Sequence, residues 1–132
     1  MEIREGLRYT KEHEWVRSEG EEIVIGITDY AQEQLSDIVY VELPAVGDDL
    51  TQGEPFGSVE AVKAVADLYA PVGGAVTAVN EALADDPAAV NRSAFEDGWM
   101  IRAKIADAGE LEQLLDAAGY KAFVEGLEGE SD

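Results

Sequence analysis

From Trp15 the chain alternates apolar and polar residues, and Ile23, Ile25 and Ile27 fall on one face of a strand over about Glu22–Ile27. Thr28 then stands where an N-cap would open a short helix, TDYAQEQL. Ile38–Leu43 (IVYVEL) reads as a well-buried strand stopped by Pro44. Phe56–Ala61 and Ala64–Tyr69 read as paired strands, and Gly74–Val79 as another. Glu81–Val90 holds a short helix with a break at Pro87. Trp99, Ile101, Ala103 and Ile105 alternate with Met100, Arg102 and Lys104, which predicts a late strand. Residues 1–14 carry mixed charge and little periodicity.

The period changes at the C-terminus. Asp107 and Glu110 have capping-box spacing, and Leu111, Leu114 and Leu115 follow at helical intervals. A second helix puts Tyr120, Phe123, Val124 and Leu127 on one stripe, weakened at Gly119, and the tail EGESD is expected to fray. PAVGDDL and PVGGAV each place a proline before a Gly turn and a strand, which suggests two related four-strand units. The sum is a mainly β sandwich with helical decoration. It forms one domain over residues 1–132, with its core at about 15–106 and C-terminal helices at about 108–128.

Composition narrows the function. Hydrophobic residues make 46% of the 132, enough for a packed core without staples. There is no Cys, so no disulfide, thiolate zinc site or catalytic thiol is available, and any sulfur chemistry must arrive on a cofactor. His13 is the single histidine and cannot build a two-histidine metal site. The net charge of −20 argues against binding nucleic acid or anionic lipid. Four lysines (Lys11, Lys63, Lys104, Lys121) among 29 acids suggest a halophilic source, where salt screens the self-repulsion. No apolar run reaches membrane length and MEIREGLRYT lacks a signal-peptide core, so a cytoplasmic protein is expected.

One residue stands apart. Between Ser18 and Asn91 the only basic side chain is Lys63, in the apolar setting Val59-Glu-Ala-Val-Lys-Ala-Val-Ala66. A hairpin with Val62-Lys63 at its tip would hold the amine away from the body. A primed turn is disfavoured there, and a type I turn would serve. Such an amine is accessible to a modifying enzyme. The plainer reading is a surface lysine that keeps a strand soluble.

At this point the sequence resembles the H proteins of the glycine cleavage system, a family of lipoyl carriers. The matching segments are YTKEHEWV (Tyr9–Val16), GITDYAQEQLSDIVYVELPAVG (Gly26–Gly47), VEAVKA (Val59–Ala64), APVGGAV (Ala70–Val76), VN (Val79–Asn80), PAAVN (Pro87–Asn91) and EDGWMI (Glu96–Ile101). They cover nearly the whole chain. Three departures stand at Leu35-Ser36-Asp37, at Ala61 in the Glu60-Ala61-Val62-Lys63 stretch, and at Ala94-Phe95.

The resemblance implies a barrel-sandwich hybrid of two antiparallel sheets, of the lipoyl/biotinyl type, with short helices and a helical C-terminus. It implies that Lys63 carries lipoic acid as an amide. It also implies no catalytic step of the chain's own. The family shuttles the aminomethyl group of glycine from a pyridoxal-phosphate decarboxylase (P protein) to a tetrahydrofolate-dependent aminomethyltransferase (T protein). A dihydrolipoyl dehydrogenase (L protein) then reoxidises the arm, and a lipoate-attaching enzyme installs it. Glu14 and Asp67 match the positions that hold the loaded arm in a cleft, and Glu12 stands where the family often has a small polar residue. Carboxylates suit the cationic amine of the cargo. No role is assigned to His13.

Other readings are biotin attachment, which usually frames its lysine as Met-Lys-Met, and a lipoyl carrier that relays lipoate to other enzymes. A Schiff-base enzyme at Lys63 would need a desolvating pocket. An unmodified interaction module completes the alternatives.

Overall fold

The computed structural model describes residues 2–130. In chain order it contains β1 (Arg8–Tyr9), β2 (Glu14–Glu19), β3 (Glu22–Ile27), α1 (Asp29–Leu35), β4 (Ile38–Glu42), β5 (Asp49–Leu50), β6 (Pro55–Ala61) and β7 (Val65–Tyr69). It continues with β8 (Gly74–Val79), α2 (Ala82–Asp85), α3 (Ala89–Arg92), β9 (Ile101–Ile105), α4 (Gly109–Glu112) and α5 (Ala117–Glu130). The strands form two antiparallel sheets, ordered β1-β2-β3-β9-β8-β5 and β4-β6-β7. The mainly β, two-sheet architecture with short helices and a helical C-terminus is therefore as expected. The strands divide six and three between the sheets rather than four and four. The two Pro-Gly segments lie side by side: β5 pairs with β8 through Asp49↔Ala75 and Leu50↔Gly74, and the Gly47 N–H donates to the Val76 carbonyl at 2.8 Å.

β3 shows why its sequence is apolar on both faces. Ile23 and Ile25 pack with Val16, Val72 and Ile101 in the core between the sheets. Val24 points the other way, into a cluster with Trp15, Phe95, Tyr120 and Val124 beneath α5. The opening segment, aperiodic in sequence, contributes β1 against β2 through Arg8↔Val16 and Tyr9↔Trp15. Thr28 caps α1 as its position implies, its hydroxyl oxygen accepting from the Ala31 N–H at 3.2 Å.

Three local expectations change. β4 buries Ile38 and Val41 but leaves Val39 50% and Tyr40 52% exposed, because a bulge between Ile38 and Tyr40 breaks the alternation on the uncovered face of the three-stranded sheet. Trp99 precedes β9 and joins the cluster under α5, while Met100 is buried elsewhere. At the C-terminus Asp107 accepts from the Gly109 N–H, and the Glu110 carboxylate accepts from the Gly73 N–H, so no reciprocal capping box forms. Leu115 then leaves the helix to exchange two backbone hydrogen bonds with Tyr9, at 2.7 and 2.8 Å. α5 buries Tyr120 and Val124 as the stripe predicts, and it continues through Glu130. Of the tail EGESD expected to fray, 128–130 belong to α5, and Ser131 and Asp132 lie outside the described residues.

Candidate functional site

The β6–β7 ladder runs Ser58↔Asp67, Val59↔Ala66 and Glu60↔Val65, and the Ala61 N–H donates to the Ala64 carbonyl at 2.7 Å. This leaves Val62 and Lys63 as the loop. Neither has positive φ, so the turn is not of a primed type. The Val62 N–H also donates to the Asp37 carbonyl at 3.1 Å, which anchors the tip to the start of β4. Lys63 is exposed, and among the described residues it makes no ion pair.

Registers across β4, β6 and β7 place Tyr40, Glu60 and Val65 in one row and Glu42, Ser58 and Asp67 in the next. With Val39 and Val62 they give the three-stranded sheet an exposed face that is apolar near the lysine except for Glu60, and acidic farther along. Two clefts of about 500 and 510 Å³ lie elsewhere, and neither is lined by Lys63, Glu12, Glu14 or Asp67. Lys63 is exposed, whereas Schiff-base chemistry calls for a desolvated amine.

Glu14 opens β2 and is only 1% exposed. Its Oε1 accepts from the Thr10 hydroxyl at 2.5 Å and its Oε2 from the Tyr69 N–H at 3.2 Å. Burial pushes its pKa up from 4.5 to about 7, the two hydrogen bonds pull it down, and Glu12 adds a smaller push upward. Thr10 also accepts from the N–H groups of Glu12 and Glu14, each at 3.1 Å, so one hydroxyl organises the β1–β2 turn. Asp67 lies on β7 two residues before Tyr69 and is exposed, as is Glu12. The structure thus ties Glu14 to the strand that carries Asp67, while no hydrogen bond joins the three carboxylates to one another.

His13 takes a backbone φ of 71°, the left-handed region, and its Nδ1 is 2.8 Å from the Tyr120 hydroxyl. That hydroxyl is in turn 2.7 Å from Thr28 Oγ1. Burial lowers the His13 pKa and raises that of Tyr120. Sequence reasoning gives His13 no role, and no local pattern pairs it with a residue 107 positions away. Among the described residues no cluster of His, Asp or Glu has the arrangement of a metal site, and no helix is long and apolar enough to cross a membrane.

Comparison with known proteins fits this geometry. The chain is 58% identical over 125 residues to the glycine cleavage system H protein of Anaeromyxobacter sp. (strain K), covering 95% of this chain and 98% of that protein. It is 57% identical over 124 residues to the one from Geobacillus kaustophilus, covering 94% and 98%. The crystal structure of a glycine cleavage system H protein from Mycobacterium marinum superposes with a TM-score of 0.84 at 36% identity, over 91% of this chain and 97% of that one. The family profile described as glycine cleavage H-protein matches residues 7–126, and with a lone exposed lysine on the hairpin of a two-sheet fold, the chain belongs to the glycine cleavage H-protein family.

Proposed function

We propose that Lys63 carries lipoate as an amide on Nζ, and that Glu12, Glu14 and Asp67 hold the loaded arm. The position of Lys63 carries this reading: an exposed amine in a two-residue loop, on a hairpin anchored by its own ladder and by the Val62–Asp37 bond. An acylating enzyme reaches it without opening the fold. The side chain also suits the group, since Val62 and Val65, 68% and 66% exposed, give an apolar arm a surface to leave along. When bound, lipoate supplies the sulfur that a chain without Cys lacks and bears the aminomethyl group on it.

The protein is the lipoyl carrier of the glycine cleavage system and catalyses no step alone. It serves glycine decarboxylase, the aminomethyltransferase and dihydrolipoyl dehydrogenase in turn, after a lipoate-attaching enzyme has modified it. The whole chain works as one carrier unit, with its core at about residues 15–106 and its helical segment at about 108–128. A tether keeps the cargo at high local concentration for each partner. Glu14 suits a cationic cargo because an ammonium beside a buried carboxylate favours the ionised form.

The charge of −20 supports a cytoplasm rich in salt as its setting, and it disfavours nucleic acid and anionic membrane as partners. Intact-mass analysis and peptide mapping of protein from its native cells test the site. One lipoyl amide on the Lys63 peptide is expected. Unmodified protein that still supports glycine-dependent reduction of the dehydrogenase would overturn it.

A further inference from the structure

The C-terminal segment, Leu115 and α5, grips the turn that carries the candidate arm-holding carboxylates at several points. Leu115 bridges the backbone of Tyr9, and the rings of Tyr9 and Tyr120 stack with centroids 4.7 Å apart. Lys11 Nζ lies 5.9 Å from the centre of the Phe123 ring. His13 packs against Tyr30 of α1 and Phe123 of α5, with ring centroids 4.8 and 5.9 Å away. The polar centre of this arrangement is the Tyr120 hydroxyl, fully buried, between His13 Nδ1 and Thr28 Oγ1. The Thr28 N–H closes a second link by donating to the His13 carbonyl at 2.9 Å.

We propose that Tyr120 is a positioning residue for the loaded arm: its hydroxyl pins the Thr10–His13 turn to the N-cap of α1 and so fixes Glu14 on the Tyr69 amide. The inference rests on the reading of Glu14 as an arm-holding group. The chain of contacts is continuous. Tyr120 holds the His13 ring, His13 turns the backbone in a left-handed conformation, and the next residue is Glu14. A left-handed non-glycine residue is costly unless its surroundings impose it, and here the ring and the carbonyl of His13 are both engaged. Without the hydroxyl, the His13 ring loses its hydrogen bond to α5, and the hold on Glu14 at the edge of β7 loosens, although the Thr28–His13 backbone bond and the Thr10 hydroxyl remain. The aromatic packing of Tyr120 does not need the hydroxyl, so Tyr120→Phe separates position from fold.

The test uses the full-length chain. In unmodified protein, hydrogen exchange of the Tyr69 amide reports directly on the Glu14 contact. Tyr120→Phe is expected to speed that exchange about five- to tenfold, the scale of one hydrogen bond, while amides of β3 and β9 change no more than in Val124→Ala, a core control. His13→Gly is the second variant: glycine tolerates the left-handed backbone and has no side chain to reach the Tyr120 hydroxyl, and the same local effect is expected. If Tyr69 exchange in both variants follows only the global change, the inference is overturned. In aminomethyl-loaded protein without tetrahydrofolate, Tyr120→Phe is expected to raise the rate of ammonia release in the same direction as Glu14→Gln. Faster release in Glu14→Gln alone overturns the positioning role and leaves the arm reading standing. No change in Glu14→Gln overturns the arm reading, while the amide measurement still decides the positioning of Glu14.

Discussion

The Tyr69 amide donates to Oε2 of Glu14 at 3.2 Å, so a carboxylate from the six-stranded sheet covers part of the free edge of the three-stranded one. The bond joins β2 to the strand that leads down from Lys63, and it places a buried acid within one strand's length of the candidate modification site. An edge amide is thereby removed from competition for strand pairing.

That acid makes stability depend on pH in an uncommon direction. Its pKa is raised from 4.5 to about 7 on folding, so the folded protein holds the proton more tightly than the unfolded chain. Its favourable contribution is complete below 4.5 and is lost as pH rises to about 7. Glu14→Gln removes the titration. Its stability relative to wild type is expected to be more favourable at pH 8 than at pH 5 by up to about 3 kcal/mol. Urea unfolding of both proteins at the two pH values checks this, and a constant difference would contradict it.

Glu14→Gln and Asp67→Asn are each expected to speed loss of the methylene group from loaded protein. The effect is ~1–2 kcal/mol at most, and smaller for Asp67, whose exposed charge is screened by water. Release followed without a tetrahydrofolate acceptor measures it. Unchanged rates in both variants would count against a charge clamp.

Gly57 lies in β6, and a Cβ there would sit 2.3 Å from the Glu42 carbonyl oxygen of the neighbouring strand. Backbone cannot yield as a side-chain end can, so Gly57→Ala is expected to cost at least ~2 kcal/mol. Denaturant unfolding reads the cost, and a loss within ~0.5 kcal/mol would show that β4 and β6 can part there without penalty.

The strands that bear Lys63 were legible because alternation and a basic residue set alone among apolar neighbours are local signals. The exposure of Val39 and Tyr40 was not legible. An apolar run reads as buried, and neither the bulge after Ile38 nor the uncovered face of its sheet has a local signal. β3 raised the same ambiguity in reverse, since Val24 is buried on the face opposite Ile23 and Ile25. Glu14 stood out in sequence only through the family resemblance, because the Tyr69 amide that it accepts from lies 55 residues away. The Tyr120–Thr28 contact spans 92 residues and has no periodic signature.

With a net charge of −20, the folded state repels itself, and salt screens that repulsion. The melting temperature is expected to rise from low to molar KCl. A flat profile would remove the salt-adapted reading without touching the carrier function.

Lys63→Arg tests the central claim most directly. Arginine keeps the cation and a similar stem at an exposed tip, so stability is expected to stay within ~0.5 kcal/mol of wild type. Its guanidinium stays protonated and offers no nucleophilic amine to an activated lipoate. The measurement is the intact mass of the variant after exposure to the lipoate-attaching enzyme, paired with glycine-dependent reduction of the dehydrogenase. The expected result is no lipoyl increment and no reduction. A lipoyl group still present would move the site to Lys11, Lys104 or Lys121, and glycine oxidation supported by unmodified variant would contradict the carrier role altogether.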